Sequence, residues 1–258
     1  MPPSSIAEAM TPLPDGCSAL DDRWPWREPL AMAQWMALHF DRQRLAEEDF
    51  ATHGIGAPSS VQRAAPKRRA EFLAGRLCVR EASRRLTGSP CVPGITESKA
   101  PRWPQGLAGS ITHSGTLAAA LVAPTSHYRG IGLDAEAIMS LQRGERLAPQ
   151  ILTPNERKWL TSLPVEQRGA FVTQVFSLKE SLFKALFPLV GARFYFQDAE
   201  LIDWCNESQQ ARLMLLKTLS PAWPAGTRLQ GQYACYEAYM LSLVALPAAQ
   251  ENRDTIRQ

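Results

Sequence analysis

Residues 176–187, FSLKESLFKALF, fit a helix only if that helix is apolar on two sides. At about 100° per residue, Phe176, Phe183 and Phe187 fall on one narrow stripe, and Leu178, Leu182, Ala185 and Leu186 form an apolar face opposite. Glu180 stands in the middle of the phenylalanine stripe, with Lys184 one turn further along nearly the same line. A buried ionised carboxylate is costly unless something compensates it. Lys184 at i+4 is one available partner and a metal ion is another, and this segment alone does not choose between them.

The 258 residues suffice for one large domain or two of about 100–150 residues each. Hydrophobic residues at 45% and charged residues at 21% describe a globular chain, and no apolar run reaches the roughly 20 residues of a membrane span. The start, MPPSSIAEAMTPLPDG, lacks the basic and apolar segments of a secretory signal, so a cytoplasmic protein is expected. Cysteines 17, 78, 91, 205 and 235 are odd in number and form no CxxC pair, which reads as reduced, mostly buried thiols. The four histidines have no zinc-type spacing, and a net charge of +3 is too mild to imply a nucleic-acid partner.

Residues 1–30, rich in Pro, Ser and Asp, are expected to form a loosely packed arm. Residues 65–86 read as a helix entered through Pro66, followed by a Pro/Gly-punctuated loop, 87–106, too long for a plain connection. GSITHS, LAAALVA and RGIGLDAEA (129–137) read as strands, and TPNE (153–156) as a capping box opening a helix. A long helix spans about 166–187 and ends near Pro188 and Gly191. FYFQDAELIDW and a hairpin-like pair, RLQGQYACY with YMLSLVAL, complete the tail. Each half thus carries helix and strands in similar proportions, which predicts an α+β protein of two similar lobes, 31–125 and 126–258.

In GIGLDAEA a strand places Asp134 and Glu136 on one face and turns Leu133 and Ala135 into the core. Adjacent carboxylates repel unless a cation lies between them, so the pair is either a solvated edge or, with Glu180, three hard oxygen donors suited to Mg²⁺. On the 65–86 helix Arg69, Arg76, Arg80 and Arg84 share one side, with Lys67 and Arg68 at the positive end of the helix dipole. A solvated, salt-bridged face explains most of these; a phosphate site would use one or two. Ser110, Thr112, His113 and Ser114 make a short polar stretch of the kind phosphate pockets use.

Taken in order, KRRAEFLAGR, GSITHS, GLDAE and FSLKESLFK resemble the signature of the 4'-phosphopantetheinyl transferases. They are most similar to the subgroup with the enterobactin-synthase transferase and the broad-range carrier-protein activating enzyme of pseudomonads. The likeness runs from about residue 20 to 247. It implies a pseudo-twofold α+β fold with coenzyme A in the cleft between the lobes. It also implies Asp134, Glu136 and Glu180 as Mg²⁺ ligands, Glu180 as acceptor of the carrier serine's proton, and Lys184 as support for the leaving group. His113 would meet the 3'-phosphate, with Lys67, Arg68 and Arg76 as the cations nearby. Lys99, Pro101 and Arg102 would run along the nucleotide, and Ser110, Ile111 and Thr112 would bring backbone to the phosphates. The expected partners are apo acyl or peptidyl carrier proteins, with a siderophore synthase complex or fatty-acid synthesis as setting and a monomeric enzyme. Paired acids with a further Glu and a Lys would also suit a metal-dependent nuclease. A module that binds coenzyme A or carrier protein without turnover is the non-enzymatic alternative, and it predicts a missing acid or lysine.

Overall fold

The computed structural model describes residues 12–248. In chain order it holds β1 (Gln34–His39), α1 (Glu48–Thr52), α2 (Ser59–Gln62), α3 (Pro66–Thr87), the short β2 (Gly94–Ile95) and β3 (Pro101–Arg102), then β4 (Leu107–Ser114) and β5 (Leu117–Pro124). β6 (Tyr128–Ala137), α4 (Leu141–Ile151), α5 (Pro154–Ser162) and α6 (Val165–Val190) follow, and β7 (Ala199–Cys205), β8 (Gln210–Leu215), β9 (Arg228–Tyr236) and β10 (Tyr239–Pro247) close the chain. Two main antiparallel sheets result, in the orders β1-β5-β4 and β6-β10-β9-β8-β7, and β2 pairs with β3 as a separate two-stranded sheet.

One long helix covers each sheet. α3 packs Leu73, Leu77 and Cys78 on Met36, Leu38, Ala118, Ala120 and Val122 of the first. α6 packs Leu178, Leu182, Ala185 and Leu186, all fully buried, on Leu213 and Val244 of the second. Strand alternation turns the remaining faces toward each other. Trp35, Ala37, Leu117, Ala119 and Leu121 meet Ile131, Leu133, Ala135, Leu241 and Leu243. The order of layers is helix, sheet, sheet, helix: the mixed α+β, two-lobed arrangement expected, though with three strands in one lobe and five in the other rather than equal shares. β1, β8 and α4 carry no signal read from the sequence.

At the edge where the sheets meet, β4 and β6 lie side by side with hydroxyls in place of carbonyls. Leu133, Ala135 and Ala137 donate their backbone N–H groups to Ser110 Oγ, Thr112 Oγ1 and Ser114 Oγ at 2.9, 3.0 and 3.2 Å. On its other face β6 presents Gly130, Gly132, Asp134 and Glu136 to α6. A Cβ on Gly132 would lie 1.7 Å from the Ser181 carbonyl oxygen, and one on Gly130 2.5 Å from that of Ala185. Ser181 is itself tied down, donating to the Ser242 carbonyl at 3.0 Å. The two glycines let α6 lie on the β6 backbone and so bring Glu180 and Lys184 level with the acids.

The capping box forms as expected: Glu156 N donates to Thr153 Oγ1, and Thr153 N to Glu156 Oε2. Glu156 is wholly buried and also accepts from Leu201 N at 2.6 Å and Lys179 Nζ at 2.7 Å. The arm departs from expectation. Residues 1–11 lie outside the described residues, but from residue 12 the chain is a packed strap. Asp21 pairs with Ala37 of β1 through backbone and accepts from Tyr236 Oη at 2.6 Å. Trp24, Trp26, Trp35 and Tyr236 then make successive edge contacts at 5.2–6.2 Å. Two indoles outweigh the Pro/Ser/Asp composition around them. The cysteines are free, but only Cys78 is buried; Cys205 and Cys235 stand exposed near strand ends. Among the described residues no helix is long and apolar enough to cross a membrane.

Since the obstacle at Gly132 is backbone rather than a movable side chain, Gly132→Ala should cost about 3 kcal/mol or more in urea unfolding, by overpacking. A loss under about 1 kcal/mol would mean that α6 does not rest on β6 this closely.

Candidate active site

A cleft of about 530 Å³ opens between the lobes. One wall is basic and polar: Arg68, Glu71 and Arg76 from α3, Lys99 and Pro101 from the β2–β3 hairpin, and Ser110, Ile111 and His113 from β4. The other comes from α6 and the segment returning from it: Glu180, Phe183, Lys184, Phe187, Arg193, Phe194 and Phe196. The long loop at 87–106 reaches the cleft because Trp103 lies on Gly109, where a Cβ would meet its ring at 2.6 Å. Within it Lys99 adopts φ +69°, a left-handed conformation costing about 1–2 kcal/mol for a residue with a side chain.

At the basic end Arg68 Nη1 donates to His113 Nε2 at 2.9 Å, so the imidazole carries its proton on Nδ1, 3.7 Å from Glu71 Oε2. Burial pushes the protonation of His113 down, against the pull of Glu71, and keeps the ring neutral. Arg76 is 6% exposed, its guanidinium 3.3 Å from the Phe72 ring centre. Among the described residues its Nε has no hydrogen-bond partner, and burial together with Arg68 lowers its pKa to about 10. A buried cation with no carboxylate is an anion site by its chemistry. The arginine stripe therefore divides: Arg69 and Arg84 pair with Glu47 and Glu81, while Arg76 lines the cleft, as does Arg68 at the helix start, 3.6 Å from Glu71.

At the acidic end Lys184 Nζ donates to Asp134 Oδ1 at 2.7 Å and to the Leu133 carbonyl at 3.0 Å. Lys184 thus pairs with Asp134 and not with Glu180, which is in no ion pair among the described residues. Asp134 Oδ2 is buried without a partner. Burial and the charge of Asp134 raise the pKa of Glu136 to about 7 and shift Glu180 the same way. Among the described residues no three acid, His or Cys side chains converge on one point as a metal requires. Without a cation the like charges stay apart, and Lys184 neutralises one of them. The donors still suit a hard divalent ion: an orphaned buried carboxylate oxygen with two further carboxylates near enough to be felt electrostatically.

Of the phenylalanine stripe on α6, Phe183 and Phe187 line the cleft, while Phe176 packs against the core behind it. Phe183 stacks on Phe187 at 5.0 Å and meets Phe194 at 5.3 Å, and Phe176 meets Phe196 at 5.2 Å. Of the residues predicted for the site, Arg68, Arg76, Lys99, Pro101, Ser110, Ile111, His113, Glu180 and Lys184 line this cleft. Lys67 instead borders a separate shallow basin with Arg42 and Arg44, and Arg102 is exposed away from the wall. The hydroxyls of Ser110 and Thr112 are engaged in the β4–β6 seam, and Thr112 does not line the cleft. Glu71, Arg193, Phe194 and Phe196 were not read as site residues. Glu71 could have been found from its i+3 and i+4 spacing to Arg68 and Lys67. The return of residues 193–196 to the cleft has no sequence signal.

Because Arg76 is buried without a counter-charge, Arg76→Met should be no less stable than the wild type in a urea melt. It should bind pyrophosphate at least about 10-fold more weakly, ~1.4 kcal/mol, in calorimetric titration. A variant destabilised by more than about 2 kcal/mol with binding intact would make the guanidinium structural.

Residues 57–123 match the 4'-phosphopantetheinyl transferase N-terminal domain, and residues 130–238 match the 4'-phosphopantetheinyl transferase superfamily. The chain is 35% identical over 196 residues to 4'-phosphopantetheinyl transferase Svp of Streptomyces mobaraensis, covering 73% of this chain and 76% of that one. It is 37% identical over 174 residues to Enterobactin synthase component D of Escherichia coli (strain K12), covering 67% and 78%. A solved holo-[acyl-carrier-protein] synthase from Thermotoga maritima aligns at 23% identity and a TM-score of 0.34, over 45% of this chain and 62% of that one. That likeness is partial, and the assignment rests on the sequence relatives. With both lobes matched in order and three quarters of a relative covered at this identity, the chain belongs to the 4'-phosphopantetheinyl transferase superfamily.

Proposed function

We propose that the interlobe cleft transfers the 4'-phosphopantetheine arm of coenzyme A to a serine of apo acyl or peptidyl carrier proteins, releasing 3',5'-ADP. The observation that carries this reading is the polarity of the cleft. A basic wall with the buried Arg76 guanidinium faces a wall on which Glu180 and Lys184 stand among aromatic rings. Coenzyme A offers a partner for each of these chemistries: a phosphorylated nucleotide, a pyrophosphate and a largely uncharged arm.

Arg68, Arg76, Lys99 and neutral His113 receive the nucleotide phosphates, and the backbone of Ser110 and Ile111 approaches the pyrophosphate. The arm lies along Phe183, Phe187, Phe194 and Phe196. Asp134, Glu136 and Glu180 would hold Mg²⁺, which when bound neutralises the charge of the pyrophosphate. Glu180 accepts the proton of the attacking serine, and Lys184, released from Asp134 as charge gathers on the phosphate, donates to the departing oxygen. Positioning and charge stabilisation then account for most of the rate. The name of the Escherichia coli relative supports carriers of siderophore assembly as substrates, with fatty-acid carriers also accepted. We place the enzyme in the cytoplasm as a monomer. A nuclease would call for broad positive charge, and the chain carries a net charge of only +3.

Incubation with coenzyme A, MgCl₂ and a panel of apo-carriers, read by intact mass, tests the reaction. Asp134→Ala and Glu180→Ala should abolish it. Retention of more than about a tenth of wild-type kcat/KM, a loss of only ~1.4 kcal/mol, would remove these carboxylates from the chemistry. In the absence of coenzyme A, MgCl₂ should raise the Tm of the wild type and leave that of Asp134→Ala unchanged.

The histidine has its own check. His113→Ala should weaken coenzyme A by roughly 10- to 150-fold, a charge-assisted bond's ~1.5–3 kcal/mol, and hardly alter dephospho-coenzyme A. A coupling energy near zero in that double-mutant cycle would make His113 purely structural.

A further inference from the structure

The aromatic wall of the cleft stands on a buried ion pair. After α6 ends at Gly191, the chain returns so that Phe194 meets Phe183 and Phe196 meets Phe176. The carbonyl of Phe196 accepts from Lys179 Nζ at 2.9 Å. The same ammonium donates to the Ile151 carbonyl at the end of α4, 2.9 Å, and to Glu156 Oε2 near the start of α5, 2.7 Å. Glu156 Oε1 in turn accepts from Leu201 N in β7 at 2.6 Å. One pair of side chains thus gathers α4, α5, α6, β7 and the returning segment at the turn of α6 that carries Glu180.

Lys179 borders the cleft, yet its side chain is only 2% exposed. An ammonium has three donors, and all three are taken up by protein oxygens. It has no hydrogen left for a phosphate, which separates it from Arg76, Lys99 and Lys184. We propose that Lys179 is a positioning residue for phosphopantetheine transfer. By fixing the Phe196 carbonyl it sets the aromatic wall, and through that wall the place of the pantetheine arm and of the phosphorus next to Glu180. This rests on the reading of the cleft given above.

The returning segment has other anchors. Gln197 Nε2 donates to the Leu152 carbonyl at 3.0 Å, and Tyr195 N to Asp198 Oδ2 at 2.9 Å. Loss of the lysine therefore frees the Phe196 peptide and its ring without unfolding the loop. The effect falls on the arm's end of the cleft and leaves the nucleotide's end, on α3 and β4, as it was.

The test uses Lys179→Met combined with Glu156→Gln, which removes both charges of the pair and keeps an acceptor for Leu201 N. Coenzyme A and 3',5'-ADP, which lacks the arm, are each titrated calorimetrically into wild type and variant. Coenzyme A affinity should fall at least about 10-fold, with 3',5'-ADP held within about twofold. Unchanged coenzyme A binding overturns the proposal, and so does an equal loss for both ligands, because the disturbance would then reach the nucleotide. A wild type that binds neither ligand defeats the proposed function as well. Phe196→Ala, at a half-buried position, alters the wall with the ion pair intact. If it binds coenzyme A as the wild type does, the wall seats no arm and the inference falls, whether or not the double variant folds.

Discussion

The row of hydroxyls on β4 is the contact on which the geometry of the cleft depends. Ser110, Thr112 and Ser114 accept the N–H groups of Leu133, Ala135 and Ala137, the donors that a paired strand would otherwise have satisfied with carbonyls. β6 is therefore paired by backbone on one side, with β10, and by side chains on the other. Each such bond contributes about 1 kcal/mol net, but leaving one of these donors buried and unpaired would cost about 1–3 kcal/mol. The seam thus specifies register more than it adds stability: a one-residue slip of β4 would set Ile111 or His113 where a hydroxyl is needed. That register holds His113 and the basic wall opposite the acids of β6.

The same strand face shows how backbone economy places the chemistry. With period two, Gly130 and Gly132 share a face with Asp134 and Glu136. The glycines admit the α6 backbone so closely that Lys184 reaches Asp134, while Glu180 stays unpaired beside them. Further along, the aspartate and glutamate take the space that a bulkier contact would fill. GIGLDAE is thus one device in two parts: the glycines bring the helix in, and the acids meet what it carries.

Much of this was legible in the sequence, and for local reasons. α3 and α6 announce themselves by Pro66, Gly191 and their periodic apolar faces, the α5 cap by Thr153 and Glu156, and the alternation in LDAEA places both acids on one face. What stayed illegible depends on contacts far apart in the chain. Trp24 and Trp26 sit in a stretch whose composition suggests an arm, and only Trp35 and Tyr236 make it a strap. Lys67 and Arg68 are adjacent in sequence, but about 100° of helix rotation separates a residue at a side basin from one at the cleft. The aromatic residues after α6 could be seen; that they fold back to face Glu180 follows from the bonds to Ile151, Leu152 and Phe196 carbonyls, which no local pattern encodes.

Among the described residues, three buried charged groups near the cleft differ in how their capacity is met. Lys179 and Glu156 are buried with their charges matched and their hydrogen-bonding capacity engaged by neighbours, as expected of groups that hold a fold together. Arg76 Nε and Asp134 Oδ2 are equally buried and have no protein partner. Arg76 carries a buried charge with no counter-charge, and Asp134, though paired with Lys184 through Oδ1, keeps an orphaned oxygen; either only burdens the free protein. Their presence at one cleft, Arg76 in its wall and Asp134 bonded to the lining Lys184, makes sense if the missing partners arrive with the substrate. Affinity and stability are then opposed at these two positions and aligned at Lys179, so the three residues should be told apart by which of the two each substitution changes.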